Sequence, residues 1–449
     1  MFIIKRLEEL PKRKEVQFMK IQNVKGSMDY LPEEQIIRNK VINTLSNTFE
    51  EYGYLPVETT TLCYYDLLAS KYAGGAEILK EVYKLNDQGE RNLALRYDLT
   101  VPFSKIIAMN KGLNLPFRRY EIGKVFRDGP VKVGRNREFY QCDVDVCGIE
   151  GQYVEAELFS MAFSGYNKLG IDIYIEWNNR KFLSGLILES GIEEALISPV
   201  ILSVDKLAKI GEDGVKKELE SYNISKNSLD KLFSYFKINI SDLKSTFEAS
   251  NNSLLKEGIE EIINLDNYLN GLGLNEAKFT PYLARGLEIY TGTVWEVFDK
   301  NQNVTCAIGA GGRYDRIITN FINDGNTYPA VGMSFGLVPI CEILNKNNEE
   351  NTNSLYDLYI VPMSLDEEIE ALKLANALRN KDIKVMIEMK KRKIKKCMEW
   401  ANKNNIGYVI VIGSDEVKSH EIEIKDMNNY NTNKVSIDDI DAMIDIIKK

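Results

Sequence analysis

Residues 119–148 hold the side chains whose types and spacing are best suited to chemistry. Two strand-like segments flank a loop rich in glycine and basic residues, with arginines at both rims and carboxylates beyond. Arginine suits phosphate groups, because its planar fork of donors can contact two oxygens at once. An amide and acids alongside could hold a small polar molecule. The segment therefore predicts an ATP-using activation reaction.

The second strand-like segment places polar side chains on one face. Side chains alternate along a strand with a period of two. The residues that share this face are Arg137, Phe139, Gln141, Asp143 and Asp145.

Residues 92–100 show a similar alternation. As a strand, they would place Arg96, Asp98 and Thr100 on one face and apolar residues on the other. A solvated outer face is the usual explanation of such a polar side. The recurrence of the pattern in the following strands favours the floor of a site instead.

Histidine and cysteine contribute little to the candidate chemistry. The one histidine, His420, lies in a polar stretch and is expected at the solvated surface. The six cysteines form no CxxC pair, which argues against a disulfide framework or a zinc knuckle. Nucleophilic catalysis through histidine is therefore disfavoured. We expect catalysis by Arg, Lys, Asp, Glu and Tyr, no protein-bound metal, and a reducing cytoplasm.

Length and composition are ordinary for a soluble protein of several domains. A chain of 449 residues should hold about three domains. No apolar run approaches the roughly 20 residues needed to cross a bilayer, and the first residues lack the features of a secretory signal. The net charge of −9 argues against indiscriminate nucleic-acid binding, although it leaves room for a local basic surface.

The pattern along the chain predicts four parts. They are an N-terminal extension (1–18), a catalytic domain (19–345), a polar linker (346–354) and a small α/β domain (355–449). Residues of about 182–275 are helical and charged, which predicts a helical insertion. The last part alternates strands and helices, as largely parallel sheets do.

Five ordered motifs resemble histidyl-tRNA synthetases, which are class II aminoacyl-tRNA synthetases. The motifs are the hairpin at 119–148, LRYDLTVP (95–102), LARGLEIYTG (283–292), GAGGRYD (309–315) and PAVGMSFGL (329–337). The resemblance implies an α+β catalytic domain, with an antiparallel sheet flanked by helices and a helical insertion. It also implies a C-terminal α/β anticodon-binding domain and a homodimer without membrane association.

The resemblance implies a reaction as well. The carboxylate of L-histidine would attack the α-phosphate of ATP, which enters with Mg²⁺, and give histidyl-adenylate and pyrophosphate. The terminal ribose of tRNA(His) would then accept the histidine. Arg127 matches the motif 2 arginine that grips the α-phosphate, and Arg285 matches the arginine that faces it from the other side. Two surface ion pairs are the ordinary explanation of lone arginines.

The histidine-binding residues follow from motif position. Asp145 and Tyr290 are expected at the imidazole, and Tyr314 beside them in the same pocket. The amino group is expected to meet Asp98, Thr100 and Gln141.

The expected ATP contacts come mainly from the hairpin and its loop. They are Arg127, Arg135, Arg137, Phe139 and Arg285. Motif 3 commonly carries an arginine that packs on adenine, but Val338 and Pro339 occupy that region here. Phe139 is therefore expected to carry more of the adenine contact.

Two further departures concern the first motif and the histidine signature. Thr60 stands where a motif 1 proline is expected, which bears on the dimer interface. Glu288 and Ile289 replace a frequent Asp-Tyr pair, so one pocket tyrosine is missing.

A basic cluster lies in the C-terminal domain: Lys390, Lys391, Arg392, Lys393, Lys395 and Lys396. It is expected to open a helix near Lys391. Cations there oppose the helix dipole, which favours contact with the RNA backbone over a purely structural role. A merely solvated helix is nearly as good an explanation.

The chief alternative function is that of a regulatory paralogue of ATP phosphoribosyltransferase, which shares the catalytic-domain fold and does not charge tRNA. Such paralogues typically lack the anticodon domain and erode the histidine signatures. The C-terminal domain and the retained Arg127 and Arg285 favour the enzyme. Another class II synthetase is disfavoured by the two histidine signatures.

Overall fold

The computed structural model describes residues 21–71, 79–131, 135–286, 289–347 and 354–448. They form two compact units that divide between Lys346 and Asn347. The predicted extension at 1–18, most of the predicted linker and Glu288 lie outside the described residues.

A mostly antiparallel eight-stranded sheet is the centre of the first unit. Its strands lie in the order β1 (Leu55–Pro56), β5 (Phe117–Phe126), β6 (Glu138–Cys147), β11 (Ala330–Gly336), β10 (Gly309–Arg313), β9 (Thr293–Asp299), β7 (Ile173–Asn179) and β8 (Ala277–Phe279). Only the two end pairs, β1 with β5 and β7 with β8, are parallel. Beside it, β2 (Leu62–Tyr64), β4 (Asn92–Leu95) and β3 (Lys84–Asn86) form a small antiparallel sheet.

Helices cover one face of the large sheet because that face is apolar. Cys142, Val144 and Val146 of β6 are buried in the same core as α1 (Pro32–Glu51) and α4 (Tyr153–Lys168). Aromatic rings join the layers, for example Phe49 and Phe335 with centroids 5.2 Å apart. Since strand side chains alternate, the polar residues between these apolar ones face the other side, where the candidate site lies.

The predicted strand at 92–100 is wrong in its second half. Strand β4 ends at Leu95, and Thr100 begins helix α3 (Thr100–Met109). The carboxylate of Asp98 accepts a hydrogen bond of 2.9 Å from the backbone N–H of Val101. A short acceptor side chain that meets the free N–H groups of a first helical turn favours helix over strand here.

The residues between β7 and β8 are mostly helical, in agreement with the predicted insertion. The α-helices of this region are α5 (Arg180–Glu189), α6 (Ile197–Val204), α7 (Leu207–Glu220), α8 (Lys226–Tyr235), α9 (Leu243–Thr246) and α10 (Ser253–Gly271). The other helices of the first unit are α2 (Tyr65–Lys71), α11 (Asp315–Ile322) and α12 (Leu337–Asn347).

The second unit is a five-stranded sheet with its own core. The strands lie in the order β13 (Val385–Ile387), β12 (Leu358–Pro362), β14 (Tyr408–Ile412), β15 (Glu421–Asp426) and β16 (Thr432–Ser436). The first three are parallel and the last two pairs antiparallel. Its helices are α13 (Leu365–Arg379), α14 (Ile394–Lys403), α15 (Ser414–Ser419) and α16 (Ile440–Ile447).

None of the helices described is long and apolar enough to cross a membrane.

Candidate active site

The polar face of β6 forms the floor of the candidate site. Asp143 and Asp145 are 4% and 3% exposed. Gln141 precedes them on the same face and lines the cavity described below. Carboxylates this deeply buried need partners, because burial without compensation is costly.

A buried arginine that sequence reasoning missed supplies part of that compensation. Arg119 of the neighbouring strand β5 is fully buried, and its Nη2 lies 2.7 Å from Oδ2 of Asp145. The same nitrogen donates to the carbonyl oxygen of Leu99 at 2.9 Å. Its guanidinium also lies over the ring of Phe103, 4.8 Å from the centroid. Arg119 thus balances one carboxylate of the floor.

Asp143 has a different electrostatic situation. Burial raises its pKa to about 7, and the charges of Asp145 and Asp98 add to the rise. Arg119 and a hydrogen bond from Ser334 oppose it. Burial and the neighbouring carboxylates thus both disfavour a negative charge on Asp143, so the floor is suited to a ligand that brings positive charge.

The tyrosines predicted for the histidine pocket lie in this region. The hydroxyl of Tyr314 donates to Oδ1 of Asp145. Tyr290 lies close enough to Arg285 to share a hydrogen bond. Its ring packs on Gly312, where an added Cβ would lie 2.5 Å from Cδ1 of the ring. Only glycine leaves room for Tyr290 at this position.

A cavity of about 620 Å³ opens beside this floor. It brings together predicted ATP residues and the end of the histidine pocket: Arg127, Arg135, Phe139, Gln141 and Arg285. Val338 and Pro339, at the motif 3 departure, line it as well.

Arg127 is fixed by aromatic rings. Its guanidinium lies 4.4 Å from the ring centroid of Tyr97 and 5.0 Å from that of Phe139. Its Nε donates to the carbonyl oxygen of Tyr97 at 3.2 Å. Rings restrain a cation without consuming most of its donors, so among the described residues Arg127 keeps its terminal donors available for an anion.

Arg285 is held by an acid that sequence reasoning did not single out. Its Nη1 forms an ion pair with Glu296 on β9, and the side chain is 25% exposed. Its carbonyl oxygen accepts a hydrogen bond of 3.3 Å from Arg180, the first residue of α5. The loop that carries Arg285 is thus anchored to both the sheet and the helical region.

The two loop arginines have separate partners. Arg135 forms an ion pair of 2.8 Å with Glu81 and lines the cavity. Arg137 lies 3.2 Å from Asp128 and does not line it. Of the five predicted ATP residues, Arg137 is the one that does not line the cavity, although its carbonyl oxygen accepts a hydrogen bond of 2.8 Å from the backbone N–H of Arg127.

The basic cluster of the second unit lies at the start of a helix, with Lys395 and Lys396 in its first turn, but the helix does not begin near Lys391 as predicted. Helix α14 begins at Ile394, so Lys390, Lys391 and Arg392 lie in the loop before it and Lys393 caps it. Arg392 is partly withdrawn from the surface, because its Nε lies 2.7 Å from the buried Glu388 and its guanidinium packs over Trp400. Lys391 pairs with Glu368 at 3.2 Å.

Sequence reasoning gave three of these residues no role: Arg119, Asp143 and Glu296. Asp143 carried a signal, since it shares the polar face of β6 with Gln141 and Asp145. Glu296 carried none, because it is one acid within a strand of ordinary composition. No group of three or more His, Cys, Asp or Glu residues able to hold a metal occurs in the described part of the chain.

Comparison with known proteins agrees with the five motifs. The family described as Histidyl-tRNA synthetase matches residues 26–340, and the Anticodon binding domain family matches residues 357–446. The chain is 49% identical over 425 residues to Histidine–tRNA ligase 1 of Bacillus cereus, covering 93% of this chain and 98% of that protein. Histidine–tRNA ligase of Clostridium tetani is 35% identical over 92% of this chain and 95% of its own.

Solved structures show the same fold. The histidyl-tRNA synthetase of Nostoc sp. PCC 7120 superposes with a TM-score of 0.84 at 28% identity, covering 96% of this chain and 99% of that one. A Bacillus halodurans protein described as an ATP phosphoribosyltransferase regulatory subunit/histidyl-tRNA synthetase superposes with a TM-score of 0.74 at 20% identity, covering 88% and 99%. At that identity the second likeness concerns the fold alone.

Proposed function

The chain belongs to the histidyl-tRNA synthetase family, and from that premise we propose how its residues activate histidine and deliver it to tRNA(His). It is a histidine–tRNA ligase, an ATP-dependent aminoacyl-tRNA synthetase with an anticodon-binding domain.

In the first step, an oxygen of the histidine carboxylate forms a bond to the α-phosphorus of ATP. The bond from that phosphorus to the bridging oxygen breaks, and pyrophosphate leaves with the electron pair. Negative charge grows on the α-phosphate oxygens, so catalysis needs fixed positive groups and correct placement. Arg127 and Arg285 supply those groups from two sides of the cavity.

Arg285 must exchange part of its contact with Glu296 for contact with phosphate. Arg127 needs no such exchange, since rings hold it and most of its donors stay available. The second step transfers histidine to a ribose hydroxyl of tRNA(His), whose proton leaves as the ester forms and AMP departs.

The main support for the proposed histidine pocket is a buried hydrogen-bond acceptor. Oε1 of Gln141 is buried and has no hydrogen-bond partner among the described residues. A buried polar atom of this kind is costly unless a ligand satisfies it. We assign it to the amino group of histidine, together with Asp98 and Thr100.

The imidazole belongs beside Asp145, Tyr290 and Tyr314. Tyr314 donates to Oδ1 of Asp145 and Arg119 forms an ion pair with Oδ2, so the carboxylate is held in one orientation. A fixed acceptor for a ring N–H rejects apolar amino acids strongly, because they would leave it unpaired.

ATP occupies the cavity with its adenine near Phe139. The ring of Phe139 already stacks on the guanidinium of Arg127, and Val338 and Pro339 offer apolar contact. Arg135 and Arg137 would reach the phosphates once the loop leaves Glu81 and Asp128. Mg²⁺ enters as part of MgATP and neutralises phosphate charge.

tRNA(His) is proposed to contact the loop before α14 and the first turn of that helix. Lys390 and Lys393 are exposed before the helix, Lys395 and Lys396 are exposed in its first turn, and Met389 is 74% exposed. Lysines supply affinity for phosphates without reading sequence. Arg392 contributes mainly to the shape of the loop, through Glu388. A homodimer in the cytoplasm remains the proposed state and location.

Histidine-dependent exchange of labelled pyrophosphate into ATP tests the reaction, with tRNA charging measured in parallel. We expect both activities with L-histidine and neither with other amino acids. Absence of exchange from folded protein would overturn the catalytic proposal and leave the regulatory paralogue as the alternative. Exchange without charging would overturn only the tRNA part.

A further inference from the structure

The side chain of Gln141 is oriented by two neighbours, Asp143 on its own strand β6 and Ser334 on the adjacent strand β11. Its Nε2 lies 3.4 Å from both carboxylate oxygens of Asp143 and 3.3 Å from Oγ of Ser334. Ser334 on β11 is the direct cross-strand partner of Asp143 on β6. The pair therefore presents acceptors to one end of the Gln141 amide.

This contact decides which end of the amide faces the cavity. An amide has a donor end and an acceptor end. An ionised carboxylate has only acceptor oxygens, so it attracts the donor end of the amide. The NH₂ group is therefore turned toward Asp143, and Oε1 is left as the buried atom without a partner among the described residues. With the opposite orientation, the Gln141 and Asp143 oxygens would repel each other and a donor would face the ligand.

We propose that Asp143 and Ser334 are positioning residues that hold Gln141 as an acceptor for the α-amino group of the amino-acid substrate. Asp143 itself lies one step further from the cavity than Gln141. Its negative charge also favours the ammonium form of the substrate over a neutral analogue. The inference rests on the proposed function and adds a determinant of recognition that the motifs did not assign.

The alternative is that the pair only stabilises the sheet. Asp143 and Ser334 join β6 to β11, so their loss could disturb the whole site. A test must therefore separate the amino group from the rest of the ligand. Two analogues do so: imidazolepropionate lacks the amino group, and histidinol keeps it but lacks the carboxylate.

The variants are Asp143→Asn and Ser334→Ala, assayed by pyrophosphate exchange at a pH above 7. We expect the KM for histidine to rise about tenfold in each, as lost hydrogen bonds to a charged group predict, with kcat within about threefold of wild type. The inhibition constant of histidinol should rise in parallel. That of imidazolepropionate should stay within about twofold.

Gln141→Glu provides the complementary measurement, because both of its terminal oxygens are acceptors and need no orientation. In that background, Ser334→Ala should have little further effect on the KM for histidine. Asp213→Asn is a matched control, since Asp213 is exposed in the helical region.

Equal weakening of both analogues would overturn the proposal in favour of a purely structural role. An unchanged KM for histidine in Asp143→Asn would overturn it as well. Either outcome is distinct from failure of the proposed function, because wild-type exchange is measured in the same series.

Discussion

Arg119 and Asp145 form an ion pair of 2.7 Å with side-chain exposures of 0% and 4%. The pair belongs to the floor of the candidate site, where Asp98 and Asp143 add further negative charge. The negative charge of this group of carboxylates is what a histidine ammonium would meet, so we expect the pocket to favour a cation.

We expect Arg119→Met to lower the free energy of unfolding by about 3–5 kcal/mol, since it leaves Asp145 buried without its cation. The neighbouring Arg118 is a matched control. Its ion pair with Glu157 is partly exposed, at 25% and 24%, so Arg118→Met should cost about 1 kcal/mol or less. Urea unfolding at pH 8 measures both.

The double variant Asp145→Asn with Arg119→Met should regain part of the lost free energy of unfolding, because no unpaired carboxylate is then left buried. Equal losses for Arg119→Met and Arg118→Met would contradict the assignment of Arg119 as the compensating charge.

Asp143 predicts a pH dependence of stability. Its pKa in the folded protein is about 7, against an ordinary 3.8. Between these values the folded protein keeps a proton that the unfolded chain has released. Stability therefore falls as pH rises through this window, by at most about 1.4 kcal/mol per pH unit. Below pH 4 and above pH 7, Asp143 does not make the free energy of unfolding depend on pH.

Asp143→Asn should remove this pH dependence of the free energy of unfolding. Relative to wild type, the variant should gain stability steadily between pH 5 and pH 7, as urea unfolding at several pH values would reveal. A constant difference across the range would mean that Asp143 is ionised throughout, and would contradict the raised pKa.

The chemistry of the site was easier to predict than its shape. The hairpin of β5 and β6 follows from alternation and a glycine-rich loop, and the motifs place Arg127 and Arg285 at one cavity. Arg119 was missed because a buried arginine looks in sequence like its partly exposed neighbour Arg118. Strand alternation does not reveal which of two adjacent arginines faces an acid on the next strand.

Local hydrogen bonding accounts for the wrong element boundaries. Residues 96–99 alternate like a strand, but Asp98 bonds to the first turn of α3. The basic residues 390–393 resemble a helix start. Arg392 instead forms an ion pair with Glu388, and the helix begins at Ile394. Both errors come from side chains that compete with regular backbone pairing.

The exposed lysines before α14 and in its first turn predict a salt-dependent effect on tRNA binding. Replacing Lys390, Lys393, Lys395 and Lys396 with glutamine should weaken tRNA(His) binding and make the dependence of log affinity on log salt shallower. Filter binding at several salt concentrations measures this. Pyrophosphate exchange should be unchanged, because the substitutions lie in the second unit.

Lysines elsewhere in the second unit provide the control. Lys384, Lys403, Lys418 and Lys434 carry the same total charge, and replacing them should leave the salt slope near that of wild type if the effect is local. Equal changes in both quadruple variants would indicate a general charge effect and contradict a defined RNA surface.

Arg285 separates transition-state stabilisation from substrate binding. Its guanidinium pairs with Glu296 in the ligand-free protein and is proposed to move toward the α-phosphate as charge develops there. Arg285→Ala should therefore lower kcat for pyrophosphate exchange by about 10²–10³-fold, the range found when one donor to a developing anion is removed. The dissociation constant for histidine, measured by calorimetry, should change by less than about threefold.

Arg316 is an exposed arginine in the same unit and provides the control. Arg316→Ala should change neither kcat for exchange nor the dissociation constant for histidine. If Arg285→Ala weakened histidine binding as much as it slowed exchange, the residue would act in ground-state binding. The ion pair between Arg285 and Glu296 would then have only a structural role.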